Sequence, residues 1–456
     1  MYRSKKQVFR PNTVISPLQA SEIMRVKMRN TNNKRVFVSG MGCVNSIAES
    51  AAEFEQALKE GRQGIDFYRE SQQKGPIKIG AEIRNFSLNK RMDHYFQNES
   101  IPQNLLNKAR KITRRSPFVI QTAIAAVLEA YIQADLFQKQ ISGERIGIIV
   151  AGNNLTNAVK NAYVEKCKND LEYMSPSYAL QFMDTDHIGT LSEIFGIFGE
   201  GCTVGGASAS GNVGIIKAHE MLQLGIADIC IVVGAMAELS DAEMYSFYNI
   251  GALGGRKFAT EPGKACRPFD REHEGFIYGQ GCGCFILESQ ESVSKRNVNV
   301  LAEMMGGAIL LDGNRLSNPS EKGEARVMEL ALDRCGLVPE DIDYINAHGT
   351  SSPLGDETEL KAIEHVWKDN VKNVWINSTK GLIGHCLYAA GVMEAIASII
   401  QMKEGFLHPN QNLVHPIQKG FRFVGNEAEE RQIDTAISNS FGFGGINTSI
   451  VLKHCR

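Results

Sequence analysis

Nowhere does this chain hold the roughly 18 consecutive apolar residues that a membrane-spanning helix requires, so no span is expected. Charge of one sign is also missing. Lysine and arginine total 49 against 51 aspartate and glutamate, a formal net charge of −2. That balance gives no global drive toward nucleic acid or an anionic membrane, and any basic patch has to be local. The 10 cysteines include no Cys-x-x-Cys pair. Cys282-Gly283-Cys284 has no second Cys/His pair at ligand spacing, so no metal site is expected. Cys230, Cys282 and Cys284 sit inside apolar runs, as reduced buried thiols of a cytoplasmic protein do. The glycine-rich stretches lack the acidic residue that dinucleotide binding places after a first strand. No low-complexity tract or long linker interrupts residues 36–454.

What is present is 456 residues, 43% hydrophobic and 22% charged, the balance of a globular protein long enough for two fused halves. Residues 1–34 are polar and basic, lack the apolar stretch of a secretory signal, and read as a disordered extension. Met28 is an alternative start. From Arg35 onward, short apolar runs alternate with helical patterns. Strands are expected near 35–40, 145–152, 228–235, 283–289, 301–310, 343–349, 374–378, 433–440 and 447–454. Helices are expected at 118–134, 208–224, 323–336, 356–367 and 388–403. The alternation implies α/β layers, and the continuously apolar strands imply sheets covered on both faces. A polar stretch near 289–297 suggests halves of 35–290 and 291–456.

Four segments carry candidate chemistry. The first, Gly205-Gly206-Ala207-Ser208-Ala209-Ser210-Gly211-Asn212, leads small residues into a helical pattern. Ser208 there is either a helix N-cap or a nucleophile on a tight turn. The second, Asn346-Ala347-His348-Gly349-Thr350-Ser351-Ser352, ends an apolar strand in a histidine, where α/β active sites gather. A third strand ends in Asn377-Ser378-Thr379-Lys380, followed by Gly384-His385. The last, Ser440-Phe441-Gly442-Phe443-Gly444-Gly445, is a tight turn or a place for close approach to a ligand.

In this order and spacing, and with Cys266-Arg267-Pro268-Phe269-Asp270-Arg271, these segments resemble the β-ketoacyl synthases over about residues 36–454. The resemblance implies a thiolase-like, five-layer αβαβα sandwich of two pseudo-symmetric halves, usually a homodimer. It implies work on acyl thioesters carried on the phosphopantetheine arm of an acyl carrier protein, with no intrinsic cofactor and no metal. His348 and His385 match the two family histidines, Lys380 the lysine, and Glu394 an acidic residue near the second histidine. Phe443 matches the phenylalanine beside the oxyanion site, and Thr350 and Ser352 lie where the pantetheine arm passes. Lys108, Arg110, Lys111, Arg114 and Arg115 form a local basic run suited to an acidic carrier. Gln280 replaces a family glutamate, Tyr388 a glycine and Ile446 a threonine, which puts pocket size and local hydrogen bonding in question.

The largest departure is at the nucleophile. The family commonly places cysteine where this chain has Ser208, and Cys202, six residues earlier, does not match that position. A thiolate at a helix start is nucleophilic near neutral pH, whereas a serine hydroxyl needs a positioned base. Acyl transfer and condensation therefore suffer. Decarboxylation of a malonyl thioester needs only stabilisation of the enolate oxygen, which two histidine N–H groups can supply. The pattern resembles the stand-alone decarboxylating ketosynthases of polyketide β-branching, which turn malonyl-carrier into acetyl-carrier. Two other readings stay open: a condensing enzyme with Ser208 as nucleophile, and a silent partner subunit like the chain-length factors. The latter generally lose the histidines.

Overall fold

The computed structural model describes residues 34–69 and 75–455; the expected N-terminal extension, apart from Lys34, lies outside them. In chain order the main strands are β1 (Val36–Asn45), β2 (Ile146–Ala151), β3 (Gly201–Val204), β4 (Ile229–Gly234), β5 (Gly281–Ser289) and β6 (Ala302–Leu311). They continue with β7 (Tyr344–Asn346), β8 (Trp375–Asn377), β9 (Arg422–Phe423), β10 (Thr435–Gly442) and β11 (Ile446–His454). These form an 11-stranded sheet in the order β9-β8-β7-β10-β11-β6-β1-β5-β4-β2-β3. The seam between β6 and β1 is short, with only Phe37 opposite Glu303 and Val38 opposite Ala302. The strands therefore fall into two groups, β1 to β5 and β6 to β11.

Helices fill the space between and outside these groups. The principal ones are α1 (Phe118–Gln133), α2 (Thr185–Phe195), α3 (Ser210–Gln223), α4 (Glu321–Cys335), α5 (Pro353–Trp367) and α6 (Ala390–Glu404). Helix α3 packs on β2 and β4 on one side and on β6 and β11 on the other; α6 touches β5 and β10. They form the middle layer. Helices α1 and α2 cover the outer face of the first group of strands, and α4 with α5 covers that of the second. This is the expected five-layer αβαβα sandwich. Burial on both sides explains why β2, β4 and β5 are apolar at nearly every position, without the alternation of a half-exposed strand. It also explains why thirteen consecutive residues of α6, from Ala390 to Met402, are buried.

The expected helices and strands all appear, with ends shifted by a few residues. Strand β3 was not expected. Its residues are exposed or half-buried, and it ends the sheet, so it carries neither an apolar run nor a clean alternation. All the strands that lead into candidate segments deliver them toward one region, where α3 begins.

Candidate active site

Ser208 sits in a turn of 3-10 helix, Ala207–Ala209, that follows β3 and runs into α3. The expected capping role is not observed. Neither the turn nor α3 has a side-chain N-cap, and among the described residues the Ser208 hydroxyl has no hydrogen-bond partner. The neighbouring Ser210 hydroxyl instead donates to the Ala207 carbonyl at 2.7 Å. Ala207 adopts φ +48°, a left-handed conformation that costs an alanine energy and presents the next residue to the cavity. Ser208 lines a cavity of about 360 Å³ together with His348, Thr350, Ser352, His385 and Phe443. Six of the seven expected site residues thus meet in one pocket. Cys202 does not line it; it is exposed on β3.

Lys380 is the seventh, and it stands behind the pocket wall. Its side chain is 1% exposed and is ion-paired with Glu394 at the start of α6, itself 1% exposed. The ammonium also donates to the His348 carbonyl at 2.6 Å and lies 3.4 Å from His348 Nδ1. Its contacts therefore act on His348.

Two backbone clamps fix the His348 turn. Glu359 on α5 accepts the His348 N–H at 2.8 Å and the Gly349 N–H at 2.7 Å. Asp356, one turn earlier, accepts the Ser351 N–H at 3.1 Å and the Phe269 N–H at 2.8 Å. The Arg-Pro-Phe-Asp segment is thereby tied to the same loop. Gly349, at φ +37°, passes so close to β8's end that an added Cβ would lie 2.7 Å from Ser378 Cβ. Glu359 was not singled out from the sequence. The available signal was a second acidic residue one turn after Asp356, on the helix that opens directly behind the histidine loop.

Hydrogen bonding assigns the tautomers of both histidines. Lys380 donates toward His348 Nδ1, and the Leu387 N–H donates to His385 Nδ1 at 3.1 Å. In each ring Nδ1 accepts, so Nε2 carries the proton. The rings meet edge to face with centroids 5.6 Å apart. Phe441 flanks His348 at 5.5 Å and Phe276 flanks His385 at 5.3 Å. Burial, then the Lys380 charge, pushes both imidazole pKa values well below 6.5. Both rings are therefore neutral N–H donors at physiological pH. Burial raises the Glu359 and Glu394 carboxyls to about 7, against the pull of the hydrogen bonds and charge they receive.

The outer part of the pocket is polar and partly open. Thr350 and Ser352 share a hydrogen bond of 2.7 Å. Phe443 is 42% exposed, and its ring lies 6.3 Å from Phe247. Of the two expectations for the glycine stretch, the tight turn is observed, and its close approach is to the protein's own backbone. Gly444 and Gly445 have φ +89° and +71° between β10 and β11, and Gly442 crosses the Ser208 turn so closely that a Cβ would lie 2.3 Å from the Gly206 carbonyl. Gln280 ties a distant loop, accepting the Ile83 N–H at 2.9 Å, and stays out of the pocket. Of the basic run, Lys108 donates to the Glu193 carbonyl and Arg110 pairs with Asp93, leaving Lys111, Arg114 and Arg115 exposed to solvent. None lines the cavity. Among the described residues no cluster of metal-binding side chains occurs, and no helix is long and apolar enough to cross a membrane.

The chain that carries this site has clear relatives. Residues 33–292 match the family model "Beta-ketoacyl synthase, N-terminal domain", and residues 301–414 match "Beta-ketoacyl synthase, C-terminal domain". The chain belongs to the β-ketoacyl synthase family. It is 39% identical to the polyketide biosynthesis malonyl-ACP decarboxylase PksF of Bacillus subtilis (strain 168), over 94% of this chain and 98% of that protein. It is 31% identical to the chloroplastic 3-oxoacyl-[acyl-carrier-protein] synthase I of Arabidopsis thaliana, over 95% and 89%. Among solved structures, a β-ketoacyl synthase from Burkholderia phymatum STM815 superposes with a TM-score of 0.78 at 27% identity, covering 93% of this chain and all of that one. A ketosynthase solved in complex with its type II polyketide acyl-carrier protein shares the fold, with a TM-score of 0.80 at 24% identity, covering 92% of this chain and all of that one.

Proposed function

We propose that this ketosynthase-family protein decarboxylates malonyl-acyl carrier protein to acetyl-acyl carrier protein in polyketide β-branching. The observation that carries the reading is the combination of two intact, neutral Nε2–H donors with a serine whose hydroxyl no base among the described residues hydrogen-bonds. The malonyl thioester enters past Thr350 and Ser352, which hydrogen-bond the pantetheine arm, and Phe443 borders the entry. Its carbonyl oxygen accepts from His348 and His385. The bond between C2 and the carboxylate breaks, CO2 leaves, and the electron pair becomes an enolate whose oxygen the two N–H groups stabilise. A proton from water then completes the acetyl group at C2. Phe276 and Phe441 make the surroundings poor for a carboxylate, which favours its loss. Lys380 positions His348 and holds its tautomer. Ser208 touches the thioester as a hydrogen-bonding group and is not acylated.

The 39% identity to a protein named malonyl-ACP decarboxylase supports this choice over condensation. Retention of both histidines speaks against a silent chain-length-factor-like role. On the same reading each chain comprises halves 35–290 and 291–456, and the protein works in the cytoplasm as a homodimer. The dimer is supported by the open edge of β3 and by Phe198, just before it in the chain and 77% exposed.

Intact-mass measurement of malonyl-carrier incubated with the protein tests the assignment. Acetyl-carrier is expected from the wild type alone, with a rate reduced about 10²–10³-fold in His348→Ala, the usual loss for one oxyanion donor. A longer β-ketoacyl product formed only when a second acyl-carrier is supplied, with an acyl adduct on Ser208, would replace decarboxylation by condensation.

A further inference from the structure

The pocket has a wet end and a dry end. Ile250 and Leu354, which line it, are 62% and 56% exposed and mark the mouth. Phe276 and Leu387 are each 5% exposed and mark the inner end, beside His385. Tyr388 lines that inner end. It follows Leu387, whose φ of +49° turns the chain sharply just before α6 begins. The Tyr388 side chain then presses on the end of β2: a Cβ added to Gly152 would lie 3.2 Å from Tyr388 Cβ and 3.3 Å from its Cδ2. Its ring packs against two apolar clusters at once. One is the core between α1, α2 and β2; the other contains Phe276, Leu387 and Tyr278, with Phe247, Met244 and Leu239 against it. The side chain, itself half-buried, thus fills apolar space along that part of the pocket.

We propose that Tyr388 is a specificity-determining residue that closes the inner end of the pocket and restricts it to short acyl groups. The proposal deepens the decarboxylase reading, because a site that only makes acetyl units gains nothing from room for a longer chain. Such room also invites competing acyl-carriers. The mechanism is steric: a methylene that finds a buried apolar place contributes roughly a fourfold gain in affinity, and one that meets a ring contributes none.

The test uses full-length protein and carrier protein whose pantetheine bears an acetyl or an octanoyl group through an amide, so that nothing turns over. Dissociation constants are measured by calorimetry for wild type, Tyr388→Phe and Tyr388→Gly, with thermal melting to establish folding. Wild type and Tyr388→Phe should bind octanoyl-carrier at least about tenfold more weakly than Tyr388→Gly does, since the ring and not the hydroxyl fills the space. Acetyl-carrier affinity should separate the three far less. If Tyr388→Gly does not fold, Tyr388→Ala, which keeps the Cβ packed on Gly152, gives the same comparison. Equal octanoyl affinity in wild type and the truncated variant overturns the proposal, as does a gain in Tyr388→Phe. Failure of the wild type to release CO2 from malonyl-carrier would remove the decarboxylase reading while leaving this binding result standing.

Discussion

Replacing Lys380 by methionine keeps the length and packing of the side chain and removes one charge from a buried contact. The ammonium holds three partners: the Glu394 carboxylate, the His348 carbonyl and His348 Nδ1. Breaking one side of a buried ion pair typically costs about 3–5 kcal/mol, because the other charge is stranded. Here Glu394 has an escape. Burial already raises its pKa to about 7, and without Lys380 it rises further, so at pH 7 the carboxyl takes up a proton cheaply. The cost at pH 7 should therefore lie near the low end, about 3 kcal/mol. Above pH 7 the folded variant keeps a proton that the unfolded chain has released. Stability of the variant then falls with rising pH relative to wild type, by about 1.4 kcal/mol per unit. Below pH 7 both folded proteins hold Glu394 protonated, and the difference stops changing. Urea unfolding followed by fluorescence of the buried Trp367 at pH 7 and 8.5 measures this, as a shift in midpoint. Lys380→Met/Glu394→Leu should lose the pH-dependent part. Turnover should stay depressed about 10²–10³-fold in both variants, because the partner of His348 Nδ1 is gone and its N–H is no longer aimed. A penalty independent of pH, or full activity in the double variant, would refute the reasoning.

Three further outcomes are expected. The Cε1 resonances of His348 and His385 in histidine-labelled protein should not titrate between pH 5.5 and 8, since burial and Lys380 hold both pKa values well below 6.5; a midpoint near 6.5 in either ring would contradict neutral donors. Glu359→Gln removes one of two acceptors from the His348 and Gly349 N–H groups and should destabilise the fold by about 1–3 kcal/mol, read as a lower urea midpoint. Converting Lys111, Arg114 and Arg115 to glutamate should raise KM for malonyl-carrier, more at low salt than at high salt, with little change in kcat; an unchanged KM would separate this surface from carrier docking.

The layered fold was legible in the sequence because each central strand is buried on both faces. A run such as Ile229–Gly234 is apolar at every position, and that pattern needs no tertiary knowledge to read. His348 and Lys380 were legible as well, since each follows such a run among small residues; His385 and Ser208 were legible from the small residues around them and, for Ser208, from the helical pattern they lead into. Strand β3 was not, because an edge strand with one partner tolerates polar and exposed residues. Glu359 was not, because a buried carboxylate on a helix looks in sequence like any solvated one; only the fold aims it at the His348 and Gly349 amides. The choice between N-cap and pocket residue for Ser208 also belonged to the fold. The local sequence allows both, and the left-handed Ala207 and the closely crossing Gly442 decide it. The sequence by itself therefore determined the layers and the chemical inventory, through patterns that repeat over a few residues. Only the tertiary structure decided which nitrogen of each histidine faces the pocket, which carboxylates hold protons and where the pocket ends. Those properties depend on burial and on partners that lie far apart along the chain.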